Sequence, residues 1–190
     1  MEMDVPEAMV DPRFPRPLSR AEWDRMVKAG EVDGERIELI RGAVVRVSPI
    51  SERHILLHSY LVRAFNRQLD DTYCVSGQGA LAASDDSEPE PDIMVTADWT
   101  RREHPTTALL VVEISVSSLR FELGTKLELY AEAGVPEYWV VDAEAAAVHV
   151  HTQADRAARR YGSVAVLRDG DVLRPTLLPQ VAIAVADLPR

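Results

Sequence analysis

At residues 108–115 the chain reads ALLVVEIS, a run of strand-forming apolar residues interrupted by one carboxylate, Glu113. Alternation along a strand puts Glu113 on the face of Leu109 and Val111. A lone buried charge costs several kcal/mol even after relaxation, so this side chain must be protonated, paired or bound to a metal. The natural companion is Asp92, which follows Pro91 at the head of a second strand-like run, DIMVTAD. If the two strands form an antiparallel pair through the loop around Trp99 to Thr106, a centre between Arg102 and Glu103 sets Asp92 opposite Glu113. Two facing carboxylates repel unless positive charge lies between them, and hard oxygen donors of this kind suit Mg²⁺ or Mn²⁺.

The next segment offers a cation. The pattern from Phe121 to Ala133 predicts a helix that stops at Gly134 with Pro136 beyond. At about 100° per residue, Leu123, Leu127 and Tyr130 share one stripe with Lys126 at its inner edge, while Glu128 and Glu132 project away. An ammonium there can orient a metal-bound water or help to deprotonate it, and can stabilise charge developing on a phosphoryl group. Lys126 also stands out by usage: of 21 basic residues only Lys28 and Lys126 are lysine, so a compact ammonium is kept where arginine is the default. Glu122, one turn earlier, could instead form a surface helix pair with Lys126.

The 190 residues fit one domain, read as 18–190 behind an N-terminal arm of residues 1–17 that lies over the domain or is partly disordered. Ser19 and Glu22 have capping-box spacing at the start of a short helix that ends before Gly30. RIELIRGAVVRVSP reads as a hairpin turning at Arg41-Gly42. A long helix opens at Ser51 and Glu52, with Ile55, Leu56, Tyr60, Leu61 and Phe65 at helical spacing. TYCVSGQGALAAS predicts a strand, and four more close the chain: EYWVVD, AAVHVHT, YGSVAVLRDGDVL and QVAIAV, with Asp169-Gly170 a hairpin turn. The formal net charge of −10 excludes a basic nucleic-acid coat and confines any such contact to a local groove. Cys74 is the single cysteine, which rules out an internal disulfide or multi-thiolate zinc site. No run of about eighteen apolar residues suggests a membrane span, and the acidic, proline-bearing start does not read as a signal peptide, so a cytoplasmic location is expected.

Taken together, Pro91-Asp92, Glu113-Ile114-Ser115 and Lys126 within FELGTKLELYAEAGVPEYWVVD resemble the PD-(D/E)XK restriction-endonuclease-like superfamily, and in particular its Uma-type bacterial endonucleases. The likeness extends from Ser19 to the EYWVVD strand at Asp142. It implies an α/β (α+β) fold with a restriction-endonuclease-like core, a mixed central sheet flanked by helices, and additional C-terminal strands. It implies a Mg²⁺- or Mn²⁺-dependent endonuclease acting on nucleic acid, with DNA the expected substrate and a homodimer the expected assembly. The catalytic residues it implies are Asp92, Glu113 and Lys126, and the metal ligands Asp92, Glu113, Ile114 and Glu38. Glu38, in IELI, could equally be a solvent-side strand carboxylate. Two positions depart from the pattern: Ser115 stands where the usual E-x-K has its lysine, which implies that the lysine has migrated to the following helix, and Glu122 stands where the Uma-type pattern favours aspartate.

Other readings of the same residues compete. His54 and His58 on one helix face, with His149 and His151 on a strand, could be drawn as a four-histidine metal site, although nothing in their spacing is specific. His54 could approach the carboxylates from its helix. Tyr130, Tyr138 and Trp139 fit core packing better than a base-stacking platform. Arg101, Arg102, Arg156, Arg159 and Arg160 are phosphate contacts only if they gather near the acids. A catalytically silent binding or assembly module with the same fold is the alternative function, and a hydrolase of small phosphorylated substrates a third.

Overall fold

The computed structural model describes residues 5–47, 50–97 and 103–190. Helix α1 (Arg20–Lys28) starts at Ser19, whose hydroxyl accepts the Glu22 N–H while Glu22 reaches back to the Ser19 N–H, so the capping box forms as its spacing requires. Strands β1 (Ile37–Ile40) and β2 (Ala43–Arg46) follow as an antiparallel hairpin. Arg41 and Gly42 both take positive φ at its turn, 52° and 77°, the backbone that a tight two-residue connection demands.

The arm is part of the structure from Val5 onward. Val10 bridges to Val45 on β2, and Asp11 is fully buried, accepting hydrogen bonds from Arg13 and Arg46. Those two guanidiniums hold the Asp11 carboxyl far below its ordinary range, against the opposing effect of burial.

Helix α2 (Glu52–Gln68) is capped by the Ser51 hydroxyl, but its buried stripe is Leu57, Leu61 and Phe65. Ile55 and Leu56, expected on that stripe, are about half exposed, at 53% and 51%. The i, i+4 row through 57, 61 and 65 faces the sheet, and offsets of one and two residues, about 100° and 200° around the axis, turn 56 and 55 outward.

Beyond α2 come β3 (Tyr73–Gly77), β4 (Ile93–Ala97), β5 (Leu110–Ser115), β6 (Glu137–Asp142), β7 (Ala147–Asp155) and β8 (Arg160–Leu167), which form one mixed sheet in that spatial order. Every neighbouring pair is antiparallel except β5 and β6. A parallel pair needs a crossover, and here it is a continuous helical run: α3 (Leu119–Phe121), a π-helical turn at Glu122–Lys126, and α4 (Leu127–Ala133), stopped by Gly134 in the left-handed conformation. This run covers one face of the sheet, packing Tyr130 and Ala133 on Met94, Val111, Tyr138 and Val140. Helix α2 covers the other, its buried stripe meeting Ile93, Val112 and Trp139.

The chain's last segment departs from expectation. Arg168–Asp171 does turn, but β8 pairs only with β7, and the short β9 (Val172–Leu173) pairs instead with β10 (Ile183–Ala184). Asp169-Gly170 therefore joins two sheets rather than the arms of a hairpin. Leu173, Leu178, Val181 and Ile183 complete the core on the α2 side, which is why the chain leaves the large sheet here.

Candidate active site

The β4–β5 ladder pairs Ile93 with Val112, Met94 with Val111 and Val95 with Leu110. Continued by one residue, this register brings Asp92 opposite Glu113. Each carboxylate is gripped by the other strand's backbone: the Asp92 N–H donates to Glu113 Oε2 at 3.3 Å, and the Ile114 N–H donates to Asp92 Oδ2 at 2.7 Å. Val111 shares the face of Glu113, while Leu109 precedes the strand and packs toward the α2 side.

Both faces of β5 are covered, so Glu113 is 3% exposed and its carboxylate must be satisfied from within. Glu113 Oε1 accepts from Lys126 Nζ at 2.9 Å and from Tyr130 OH at 2.6 Å. Lys126 also lies 3.1 Å from Glu38 Oε2. The π-helical turn delivers this lysine: widening one turn swings Lys126 inward, and π turns of this kind concentrate at functional sites. The Tyr138 hydroxyl donates to the Glu122 carbonyl at 3.1 Å, fixing the start of that turn to β6.

Glu38 is 4% exposed and faces the lysine, so it is not the solvent-side carboxylate that its strand position also allowed. Glu122 is likewise buried and not a surface pair. Its Oε1 accepts from Ser118 Oγ at 2.8 Å, and its Oε2 has no hydrogen-bond partner. His54 Nε2 stands 3.0 Å from Asp92 Oδ1, and His58, one turn on, has Nε2 3.0 Å from the Asp92 carbonyl oxygen. The second histidine pair is elsewhere: His151 stacks on Tyr138 and Tyr161, and among the described residues no group of three or more His, Cys, Asp or Glu side chains is placed so that it could hold a metal ion as it stands.

A cavity of about 200 Å³ opens onto these groups. Glu38, Glu90, Asp92, Glu113, Glu122, His54 and Lys126 all line it, with Ile114 beside them and Arg36 at an exposed position. With Glu35, six carboxylates thus line a cavity that holds a single lysine. Burial pushes the Glu113 carboxyl above its ordinary value, with Lys126 pulling it back and Asp92 and Glu38 adding to the rise. Burial also raises Glu122 and Glu90. Asp92 goes the other way: burial works against it, but His54, the Ile114 N–H and Lys126 hold its carboxyl below the ordinary value. On Lys126 burial favours losing the proton, and Glu113, Glu38 and Glu122 more than reverse that, so its ammonium is firmly charged.

Such a site has unsatisfied demand for positive charge. Its donors are hard oxygens on two adjoining strands, which fits a small divalent cation that keeps part of its water shell and takes one or two carboxylates from the protein. Asp92 and Glu113 are the residues that could hold it, with Glu38 and the main-chain oxygen of Ile114 bordering the same space.

Two contributors were not apparent as site residues in the sequence. Tyr130 reads as a core residue and is one, but its hydroxyl ends on Glu113; the i, i+4 spacing from Lys126 was the available signal. Glu90 sits between two prolines, outside any helix or strand, yet it lines the cavity. Of the arginines, Arg101 and Arg102 lie outside the described residues. Arg156 instead donates to the Glu132 carbonyl, and Arg159 lies 4.0 Å from Glu132 Oε2, away from the acids.

Comparison with known proteins adds the following. The family model Uma2, described as putative restriction endonuclease, matches residues 21–186. Among solved structures, a putative nuclease of DUF820 from Anabaena variabilis superposes with a TM-score of 0.73 at 15% identity, over 90% of this chain and 97% of that one. That likeness is one of fold. No curated protein matches the chain. Among the described residues no helix is long and apolar enough to cross a membrane.

Proposed function

The chain belongs to the Uma2 family of restriction-endonuclease-like nucleases, and from that premise we propose that it is a divalent-metal-dependent endonuclease whose catalytic residues are Asp92, Glu113 and Lys126. The observation that carries this reading is the meeting of Asp92 and Glu113 across β4 and β5 with the Lys126 ammonium against the latter. Asp92 and Glu113, with Glu38 and the Ile114 carbonyl, would hold Mg²⁺ or Mn²⁺. When bound, the ion supplies Lewis-acid stabilisation of a phosphodiester and an acidified water.

The chain's own residues do the rest. Lys126, charged and pinned by Glu113 and Glu38, presents a fixed positive field to the attacking water and to negative charge growing on the phosphoryl oxygens. Tyr130 holds the Glu113 oxygen in place, and His54 does the same for Asp92. The substrate is nucleic acid, and DNA is the form we favour by the family's description. A nucleic acid approaching a chain of net charge −10 pays long-range repulsion, so contact depends on local cations such as Arg36 at the cavity and on the metal itself.

A cleavage screen on mixed single- and double-stranded DNA and RNA, with and without Mn²⁺, tests the reading beside Glu113→Ala. Metal-dependent cutting by the wild type that Glu113→Ala lacks is the expected result. Mn²⁺ should also raise the melting temperature of the wild type but not of Asp92→Ala. A wild type that binds nucleic acid, cuts none of it and gains no stability from Mn²⁺ would be the silent binding module instead.

A further inference from the structure

Hydrolysis requires a group that takes a proton from the attacking water, and the residues around the cavity do not share that capacity equally. Lys126 is already protonated and its ammonium is spent on Glu113 Oε1 at 2.9 Å and Glu38 Oε2 at 3.1 Å. Asp92 accepts from the Ile114 N–H and faces His54, while Glu113 accepts from Lys126 and Tyr130. His54 Nε2 lies 3.0 Å from Asp92 Oδ1 but without hydrogen-bond geometry, and it is a ring nitrogen rather than a carboxylate oxygen. Glu90 is exposed and has no contact that fixes it over the other acids.

Among the cavity's carboxylates Glu122 stands apart. It is 7% exposed, and one carboxylate oxygen is held by Ser118 Oγ at 2.8 Å. The other, Oε2, is buried and has no hydrogen-bond partner among the described residues, on a residue that lines the same cavity as Asp92 and Lys126. Its backbone is anchored as well, because the Tyr138 hydroxyl donates to the Glu122 carbonyl at the start of the π turn. A buried acceptor oxygen left free by its own protein is costly, and the residue that carries it lines a polar cavity from which a water could satisfy it.

Resting on the nuclease reading, we propose that Glu122 is the general base of the reaction, its free Oε2 accepting the proton of the attacking water while Lys126 serves only as a fixed positive charge. In the step, a water O–H bond breaks and its proton passes to Glu122 Oε2. The water oxygen bonds to phosphorus, the scissile P–O ester bond breaks, and its electron pair leaves on the sugar oxygen. That oxygen takes a proton from solvent water, and Glu122 returns its own proton to solvent.

The groups that face Glu122 suit the task. They are Lys126 on the same helical run, Asp92 at the head of β4, Glu113 on β5 and Tyr138 on β6. Burial raises the Glu122 carboxyl above its ordinary value while Lys126 keeps it ionisable, which moves it toward the pH at which a base is both deprotonated and strong.

The test compares wild type, Glu122→Gln, Glu122→Asp and Ser118→Ala with Mn²⁺ on an oligonucleotide that the wild type cuts. Glu122→Gln should lower kcat about 10²- to 10⁴-fold, the usual worth of a general base, with KM within about threefold. Its remaining rate should climb in proportion to hydroxide concentration where the wild type levels off. Glu122→Asp should recover part of kcat and the wild-type pH profile, and Ser118→Ala, which frees the carboxylate without removing it, should lower kcat alone. The Mn²⁺-induced rise in melting temperature should persist in Glu122→Gln. The assignment is overturned if Glu122→Gln keeps kcat within threefold, loses rate without the altered pH profile, or loses its response to Mn²⁺. Should Glu122→Gln fail to fold, an unchanged kcat and pH profile in both Glu122→Asp and Ser118→Ala overturns it equally. A wild type that cuts nothing overturns the nuclease reading itself, whereas an active wild type with an indifferent Glu122 overturns this assignment alone.

Discussion

Replacing Lys126 by methionine keeps the length of the side chain and removes the ammonium that faces the buried Glu113 and Glu38. Glu113 and Glu38, 3% and 4% exposed, then lose the charge that stood 2.9 and 3.1 Å from them. Breaking one side of a buried ion pair typically costs about 3–5 kcal/mol, because the abandoned charge has no water to turn to. An abandoned carboxylate can escape by taking up a proton. From an ordinary value of 4.5 that costs roughly 3.4 kcal/mol at pH 7, at about 1.36 kcal/mol per unit, which limits the loss per acid to the same range. A loss of about 3–5 kcal/mol leaves a domain of ordinary stability folded but much weaker. In urea, with a slope near 2 kcal/mol/M, the midpoint should fall by roughly 1.5–2.5 M. Adding Glu38→Gln to Lys126→Met removes one orphaned charge, so the double variant should be more stable than the two single losses summed, by about 1–2 kcal/mol. Equilibrium urea unfolding of the wild type, both single variants and the double variant at pH 7 measures this directly. A Lys126→Met protein within about 1 kcal/mol of the wild type, or simple additivity with Glu38→Gln, would refute the coupled cluster and with it the pinned lysine.

Two further perturbations probe other parts of the argument. A Cβ on Gly77 would lie 2.8 Å from His58 Nε2, which itself sits 3.0 Å from the Asp92 carbonyl; Gly77→Ala should therefore displace the ring, cost about 1–3 kcal/mol in urea unfolding and weaken the Mn²⁺ thermal shift, and an unchanged shift would separate His58 from the site. Burial, reinforced by His149, depresses His151 from 6.5 to about 4, so the unfolded chain binds a proton there first and stability is lost as pH falls from 6.5 toward 4, by up to about 3 kcal/mol; His151→Phe, which keeps the ring stack on Tyr138, should flatten that decline in urea midpoints measured across the window.

What the sequence made legible was whatever a short-range rule governs. The Ser19 box, the Arg41-Gly42 turn and the Gly134 stop follow from local backbone chemistry, and each forms where it was read. The Asp92–Glu113 register followed from a symmetry argument across one loop, and the ladder has that register. The misreadings fall where a distant partner decides. Ile55 and Leu56 are as apolar as Leu57, and only the direction of the sheet selects the 57, 61, 65 row. The β8 sequence gives no sign that Asp169-Gly170 leaves the sheet, because the space filled by β9 and β10 is created by α2 and Trp139. For Glu38 and Glu122 a solvent-facing alternative stayed open beside the site reading, because their own elements allow both. Their burial is set by the packing of the β1–β2 hairpin over the helical run, where Ile40 and Val45 meet Phe121 and Leu129.

That packing also bears on why a lysine on a helix can do the work of one on a strand. Ser115, two residues after Glu113, is 2% exposed and its carbonyl is engaged by the Ala143 N–H, so the strand position is closed in by β6. An ammonium from the crossover helix reaches Glu113 from above instead, and it arrives with Glu38 and Tyr130 around the same carboxylate. The consequence is chemical. A strand lysine at the rim of a site can exchange its proton with water, whereas a lysine clasped by two buried carboxylates has its charge fixed and its donors committed. In the proposed reaction, moving the lysine would divide two tasks that one residue could otherwise combine: electrostatic stabilisation would stay with Lys126, and proton removal would fall to a neighbour with an unspent oxygen. The π turn supplies both from one widened helical turn, with Lys126 at its end and Glu122 at its beginning.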